Sequence, residues 1–422
     1  MKRNLSVSEF LLILLGLIIK IIFRKYVSIN SIVSLSYSST DSWETILEFD
    51  ALNKAGLPSY DGDSIHQPPI ILVLWKIILG MSPEFQFLVF CIIDILCIYV
   101  SLKLANEIIS TFVKDQNKTQ IKEKSLLIDS KSIGRLRIMM CFWQVFNPFL
   151  NISILSQSIT CLNNFLFLLF FFSVVKKQFI HAAILCAFMT YSSFYPIVFV
   201  LVLYIGAKQN KQSFARILSL FLTILLSLLA ISIYMVGYKF ISNVYLHHFY
   251  FDDSNPQMNF YWYMMATMFD HFRLFFKCTF QILIFAVSGG LAIKYKNDLV
   301  FLTYILAWTI NVLKPYASIG ELGLMLALVP LYRHLFRYLR FGIVTAVMFL
   351  CVLVLGPLMH YLWMVSGTAN ANFYFAITLA HCAAQSHLVS SILSAYLKYQ
   401  FFLQHGKIVK LSNGSELQLR VK

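Results

Sequence analysis

Thirteen apolar stretches, separated by short polar segments, follow one another along the chain from Phe10 to Leu397. They cover residues 10–23, 70–79, 84–112, 138–150, 154–175, 179–194, 196–206, 217–241, 260–288, 299–313, 321–332, 341–363 and 372–397. A helix needs roughly 20 apolar residues to cross a bilayer, whereas a run of 10–14 more often forms a re-entrant or interfacial segment. The pattern predicts an all-α polytopic membrane protein with one integral domain, residues 1–422.

The composition supports a membrane protein and limits its partners. Hydrophobic residues make up 59% of the 422 residues and charged residues only 13%, whereas charged residues in soluble domains come to about 25%. The formal net charge is +15, but Lys and Arg form short clusters between apolar runs. Such clusters are typical of cytosolic loops, so nucleic acid is excluded as a partner.

The distribution of Lys and Arg predicts twelve spans with both termini in the cytosol. If the run 70–79 also crossed, the Lys-rich loop 113–137 would face the side opposite to most other basic clusters. We therefore predict a re-entrant helix over 68–80, inside a first luminal loop that covers 24–83. The loop 113–137 and a tail over 398–422 are then cytosolic.

The first luminal loop contains a second predicted helix, over residues 41–56. Asp41 is placed as its N-cap, with Glu44 three positions later as in a capping box. The apolar face of this interfacial amphipathic helix consists of Trp43, Ile46, Leu47 and Ala51.

Acidic residues in the same loop have two interpretations. The Asp41 carboxylate either caps the helix or acts as a general base at the membrane surface. Asp61 and Asp63 either shape a Gly-containing turn or share a divalent cation. We favour the structural interpretation in both cases, and we predict no metal site, no cofactor and no catalytic residue.

Two further segments combine polar and apolar residues near a membrane edge. The aromatic stretch 260–278 carries Asp270, His271, Arg273 and Lys277, which form either an intrahelical Asp270–Arg273 pair or the wall of a lipid-headgroup cavity. The stretch 367–380 opens the last span with Thr368, Asn370 and Asn372. These side chains either cap the helix or bind phosphate and sugar oxygens.

A basic cluster at the predicted cytosolic face consists of Lys208, Lys211 and Arg216. Basic residues near the surface attract anionic lipid headgroups by about 1 kcal/mol each. The cluster is interpreted either as an anionic-lipid site or as a plain orientation signal, and we favour the second interpretation.

Six blocks of sequence, in order from one end of the chain to the other, resemble the PIG-U family of GPI transamidase subunits. They are SYDGDSIHQPPIIL (59–72), FNPFLNISILSQSITCLNN (146–164), SSFYPIVF (192–199), FYWYMMATMFDHFRLFF (260–276), LKPYASIGELGLMLALVPLYRHLFRYLR (313–340) and GTANANFYFAITLA (367–380). The resemblance implies a scaffold similar to type C glycosyltransferases that works as a non-catalytic subunit in the endoplasmic reticulum membrane. The implied partners are the cysteine-protease subunit PIG-K, PIG-T, PIG-S, the GPI-attachment subunit and the GPI lipid.

The resemblance also implies where the lipid binds. Asn370 and Asn372 match the positions of the family's GPI-contacting asparagines, and residues 260–276 match its other lipid-recognition element. The predicted GPI-binding residues are Asn370, Ala371, Asn372, Thr368, Trp262, Tyr263, Phe269 and Asp270. The alternative function is an active dolichyl-phosphate-sugar-dependent mannosyltransferase, because a related type C enzyme keeps its catalytic carboxylate in an acidic first luminal loop.

Overall fold

The computed structural model describes residues 5–26, 38–62, 64–118, 133–250 and 255–406. Within these ranges the chain is helical and contains no strand. The α-helices of seven or more residues are α1 Val7–Tyr26, α2 Glu44–Lys54, α3 Pro69–Leu79, α4 Pro83–Lys118, α5 Ile133–Val145, α6 Pro148–Leu155, α7 Thr160–Val175, α8 Phe179–Ser192, α9 Val200–Gln209, α10 Phe214–Val236, α11 Tyr261–Thr267, α12 Asp270–Lys294, α13 Leu299–Leu313, α14 Ile319–Leu328, α15 Gly342–Met364 and α16 Ala371–His405. The 3₁₀ segments Tyr195–Phe199 and Val329–Tyr338 precede α9 and follow α14, and three short helical turns fill Lys239–Tyr250.

The all-α membrane character predicted from the sequence is confirmed. Five helical segments among the described residues are long and apolar enough to cross a membrane, or six if the bent pair α5–α6 counts as one span. The run 138–150, predicted to be continuous, is broken between α5 and α6 with a bend of 46°. Pro148 has no N–H to continue a helix, and the Asn147 side chain instead accepts a hydrogen bond from the Phe149 N–H at 3.0 Å.

The helices run between two ends of the molecule. At the first end, the C-terminal parts of α4, α7, α9, α12 and α16 surround one cavity. At the second end, the Asp41 carbonyl accepts from the Ile159 N–H at 3.0 Å. There also, the Thr160 and Ser318 hydroxyls lie 2.7 Å apart. The polar loops are thus tied to helix ends by hydrogen bonds.

The helix at the centre of the bundle is α13. Every residue from Leu299 to Asn311 is buried, including the large side chains of Tyr304 and Trp308. A helix that is apolar around its whole circumference fits only where other helices surround it on all sides.

Helices α2 and α3 lie inside the predicted stretches 41–56 and 68–80, and α3 begins at Pro69, as expected for a first-turn proline. Leu47 and Ala51 of the predicted apolar face of α2 are exposed rather than buried inside the protein. Phe49 takes their place and is buried with Trp43 and Ile46. Trp43 packs edge-on against Trp75 of α3 and Phe90 of α4, with centroid distances of 5.9 and 5.4 Å.

Helix α1 lies at the edge of the bundle and carries charges on its buried face. Glu9 and Lys20 are buried and eleven residues apart, so they share one face of the helix. Glu9 accepts two hydrogen bonds of 2.7 Å from the Arg137 guanidinium of α5. Lys20 forms a buried salt bridge with Asp94 of α4.

Close packing accompanies these ion pairs. A Cβ atom on Gly16, which lies between Glu9 and Lys20 on α1, would come within 2.4 Å of the Val145 side chain of α5. The absence of a side chain at Gly16 thus lets the backbone of α1 approach α5 closely, next to the two ion pairs.

The Glu9–Arg137 pair should be required for stability. Replacing Glu9 by Gln removes the carboxylate charge that faces the buried guanidinium of Arg137, and breaking a buried pair in this way costs roughly 3–5 kcal/mol. We expect a clearly lower thermal unfolding temperature in detergent for Glu9→Gln. The double change Glu9→Leu, Arg137→Leu should recover most of the loss, because it removes both charges of this buried pair. Equal stability of Glu9→Gln and wild type would contradict the prediction.

Candidate functional site

Two segments that carry predicted site residues meet at the second end of the molecule. The Tyr263 hydroxyl of α11 donates a hydrogen bond to Asn372 Oδ1 in the first turn of α16. The rings of Tyr263 and Phe375 lie 4.5 Å apart. Trp262 is buried against Trp363 and Tyr374, at centroid distances of 5.6 and 5.9 Å. We call this contact, formed by Trp262, Tyr263, Trp363, Asn372, Tyr374 and Phe375, the α11–α16 junction.

The start of α16 is fixed by local capping. Asn370 is the N-cap, with an extended backbone, and its side-chain oxygen accepts from the Asn372 N–H at 3.1 Å. Gly367 has φ +66°, which allows the chain to turn from α15 into α16. The Thr368 N–H bonds to the Leu362 carbonyl at 2.9 Å and so closes the end of α15.

The capping interpretation therefore holds for Asn370, whereas Asn372 lies beyond the cap and turns to Tyr263. Both asparagines are exposed. The Asn370 oxygen serves the helix, and the Asn372 side chain lies at the aromatic surface of the junction. Ala371 lies between them, half-buried.

The block 260–276 is not one helix. It breaks at Met268, whose backbone is extended, and α12 starts anew at Asp270. Phe269 is 73% exposed, and Asp270 forms a salt bridge of 2.8 Å with Arg273 one turn later. The intrahelical Asp270–Arg273 pair is thus present, and the described contacts of Phe269 and Asp270 are with neighbours in their own segment rather than with Asn372.

Sequence reasoning missed the contribution of α15 to this site. Trp363 and His360 lie at the end of α15, and both pack on the ring of Tyr374. An aromatic residue at the end of an apolar run is typical of a membrane edge and was the available signal. The contact between Trp363 and Trp262 could not be predicted from the apolar run, because the two residues are about a hundred positions apart in the sequence.

Asp41 does not cap α2, contrary to the prediction. The N-cap position belongs to Trp43, and its side chain makes no capping bond. Asp41 is 6% exposed, and its carboxylate accepts from the Asn163 amide of α7 and the Thr40 hydroxyl, both at 3.3 Å. Its carbonyl binds the Ile159 N–H and, at 3.2 Å, the Ser158 hydroxyl. Asp41 therefore ties the loop to the start of α7.

The electrostatic surroundings of Asp41 favour its neutral form. Burial raises the pKa of this carboxyl to about 6, and the nearby Glu321 carboxylate acts in the same direction. Lys314 opposes the shift, but it is also paired in a salt bridge with Glu321. Two acids thus share one buried lysine.

The remaining acids and the basic cluster lie apart from these contacts. Asp61 forms a salt bridge of 2.8 Å with Lys239, and both side chains are exposed. Asp63 lies outside the described residues. No group of three His, Cys, Asp or Glu side chains in the described part of the chain is arranged to hold a metal ion. The side chains of Lys208, Lys211 and Arg216 are exposed around the turn from α9 to α10.

Comparison with known proteins identifies the family. A family model for GPI transamidase subunit PIG-U matches residues 8–381. The chain belongs to this family. It is therefore a subunit of a transamidase complex.

Relatives from animals and fungi support the assignment over most of the chain. The human GPI-anchor transamidase component PIGU is 29% identical over 404 residues, which cover 91% of this chain and 92% of the human protein. The GPI transamidase component GAB1 of Saccharomyces cerevisiae is 27% identical over 365 residues, or 85% of this chain and 86% of that protein. The PIG-U match includes all residues of the α11–α16 junction.

Asp41→Asn should remove a pH dependence of stability. The folded protein holds the Asp41 proton with a pKa of about 6 against an ordinary value of 3.8. Stability contributed by this group therefore falls as the pH rises from about 4 to about 6, by at most about 3 kcal/mol at 1.4 kcal/mol per pKa unit. In thermal unfolding in detergent, Asp41→Asn should flatten this slope and equal or exceed wild type above pH 6.

Asp41→Leu is the matched control, because it removes the acceptor for Asn163 and Thr40 and should destabilise at every pH. If Asp41→Asn were as unstable as Asp41→Leu at pH 7, a charged Asp41 would be required and the assignment would be wrong.

Proposed function

We propose that this PIG-U family member holds the GPI lipid at the α11–α16 junction and presents it to the catalytic subunit of the transamidase. The observation that carries the proposal is the contact between Tyr263 and Asn372, which joins an exposed amide to an aromatic wall. A GPI headgroup brings phosphates and sugar hydroxyls, which need hydrogen-bond donors as well as acceptors. Asn supplies both in one side chain.

The geometry suits a headgroup at a membrane edge. With Asn372 Oδ1 bound to Tyr263, the amide N–H groups of Asn372 are the donors available to a phosphate or sugar oxygen. The rings of Tyr263 and Phe375 offer apolar faces for the neighbouring part of the lipid. Thr368, Asn370 and Ala371 form the start of α16. The buried Trp262 ring packs edge-on against the Tyr263 ring. Phe269 and Asp270 extend the site along the start of α12.

We propose twelve membrane crossings with both termini in the cytosol. The two ends of the molecule support this, since α4, α7, α9, α12 and α16 all bring their C-terminal parts to one cavity. Helices α8 and α9 are short, but part of each is buried against neighbouring helices, which supports short crossings. In this topology α2 is interfacial, α3 is re-entrant, the loop 113–137 and the tail from 398 are cytosolic, and the scaffold is similar to type C glycosyltransferases.

The proposed setting is the endoplasmic reticulum membrane, and the proposed partners are PIG-K, PIG-T, PIG-S and the GPI-attachment subunit. Catalysis is assigned to the cysteine-protease subunit PIG-K. The relatives named above are called transamidase components, which supports an accessory role. The burial of Asp41 also disfavours sugar transfer, because its carboxylate oxygens are engaged inside the protein and do not face a substrate.

We further propose that Lys208, Lys211 and Arg216 attract anionic headgroups at the cytosolic face. The exposure of these side chains supports a weak, salt-sensitive attraction of anionic lipid headgroups. The same three residues would also serve as an orientation signal.

The function is tested with variants that separate lipid binding from helix capping. Asn372→Leu removes the proposed donors, and a hydrogen bond to a charged group contributes roughly 1.5–3 kcal/mol. We expect at least tenfold less surface display of a GPI-anchored reporter in cells that lack the native subunit. Asn370→Ser is the matched control, because serine caps a helix as well as asparagine does, and it should keep display within about twofold if the Asn370 oxygen only caps.

Co-immunoprecipitation of PIG-T checks assembly in the same cells. Normal surface display of the reporter by Asn372→Leu would contradict the assignment of the site. Loss of PIG-T together with display would show that Asn372 is needed for assembly and would equally contradict a lipid-binding role.

A further inference from the structure

The cavity between the C-terminal helix ends lies at the opposite end of the molecule from the α11–α16 junction. It encloses about 680 Å³ between the C-terminal parts of α4, α7, α9, α12 and α16 and the start of α13. Small-molecule sites in proteins commonly measure about 300–1,000 Å³. The cavity is therefore large enough for the headgroup and glycerol region of a phospholipid.

The lining is divided by chemistry. Lys177 and Lys294 extend from the ends of α7 and α12, and the amides of Gln209, Gln400 and Gln404 lie around the same space. Apolar side chains, among them Val175, Leu299 and Leu403, form the remaining wall. This combination of two cations, neutral amides and an apolar wall matches an amphiphile with an anionic head.

The acid in the cavity, Asp298, is held by the start of α13 and by α16. Asp298 caps α13 by accepting from the Phe301 N–H at 2.9 Å, and its other oxygen accepts from the Tyr396 hydroxyl at 2.7 Å. In the described part of the chain, neither Lys177 nor Lys294 has an acidic side chain within salt-bridge distance. Lys176, next to Lys177, by contrast lies 3.6 Å from Glu107.

We propose that this cavity binds the phosphate group of an anionic amphiphile, with Lys177 and Lys294 as its cationic ligands. The two ammonium groups provide donors and charge for phosphate oxygens, and the glutamine amides accept or donate to the hydroxyls of the head. The site differs from the surface cluster at Lys208, Lys211 and Arg216, whose side chains do not line the cavity. It is also independent of the GPI site, from which it is separated by the length of the bundle.

The test uses the full chain, purified in detergent, and native mass spectrometry with phosphatidylinositol. Phosphatidylcholine, whose zwitterionic head carries no net charge, is the comparison. Lys177→Gln, Lys294→Gln should weaken phosphatidylinositol binding at least tenfold. The matched control is Lys176→Gln, Lys296→Gln, which removes the same charge from the same two chain segments but from side chains outside the cavity. It should bind within about twofold of wild type. Unchanged thermal unfolding temperatures show that both variants fold.

Equal loss of binding in both double variants would reveal general charge attraction and overturn the proposal, as would equal binding of both lipids to wild type. Soluble inositol phosphate is added as a competitor to identify the source of the phosphate. Displacement at concentrations similar to those of the lipid would support the phosphate site and assign it to a soluble ligand. Lipid binding that resists the competitor and depends on the two lysines would assign it to a lipid headgroup.

Discussion

Pairing of buried charges is the constraint on which the fold depends. In a chain that is 59% hydrophobic, apolar contact alone does not distinguish one helix face from another, because lipid is as apolar as the packed interior. A charge in that environment must find a partner, which is a far more selective requirement. Glu9 with Arg137 and Lys20 with Asp94 fix the rotation of α1 against α5 and α4. The close approach of Gly16 to Val145 of α5 reinforces this orientation.

The same requirement organises the end of the molecule that carries the α11–α16 junction. Lys314 at the end of α13 pairs with Glu321 in α14, and Asp41 lies close enough for its pKa to respond to both. Hydrogen bonds extend from this cluster through Thr160 and Ser318. Nearby, the Tyr261 hydroxyl donates to the Leu313 carbonyl at 2.7 Å, which anchors α11 to the end of α13. The α11–α16 junction is thus positioned by polar contacts at its base, while its outer surface stays accessible.

The sequence predicted those features that depend on local chemistry. Apolar runs located the helices, Pro69 marked the start of α3, and the Thr368–Asn372 stretch marked the start of α16. Features decided by distant partners were not predicted. Helical spacing allows either Leu47 or Phe49 to share a face with Ile46. In the structure Phe49 lies on the buried face of α2, in one apolar cluster with Trp75 and Phe90. The helix break at Met268 contains no proline or glycine from which it could be predicted. The role of Asp41 depends on Asn163, which lies far away in the sequence. The partnership of Tyr263 with Asn372 joins blocks that the family resemblance had already picked out, but only the fold shows them in contact.

The central claim is that the GPI lipid lies against the α11–α16 junction. Its most direct measurement is photo-crosslinking in microsomes that contain radiolabelled GPI, with a photoreactive phenylalanine analogue in place of Phe375. Phe375 is half-buried and touches Tyr263, whereas Phe341 is exposed at the start of α15, at the other end of that helix from Trp363. The account predicts labelled lipid attached to the chain from position 375 and not from position 341. Equal labelling from both positions, or labelling from 341 alone, would contradict it.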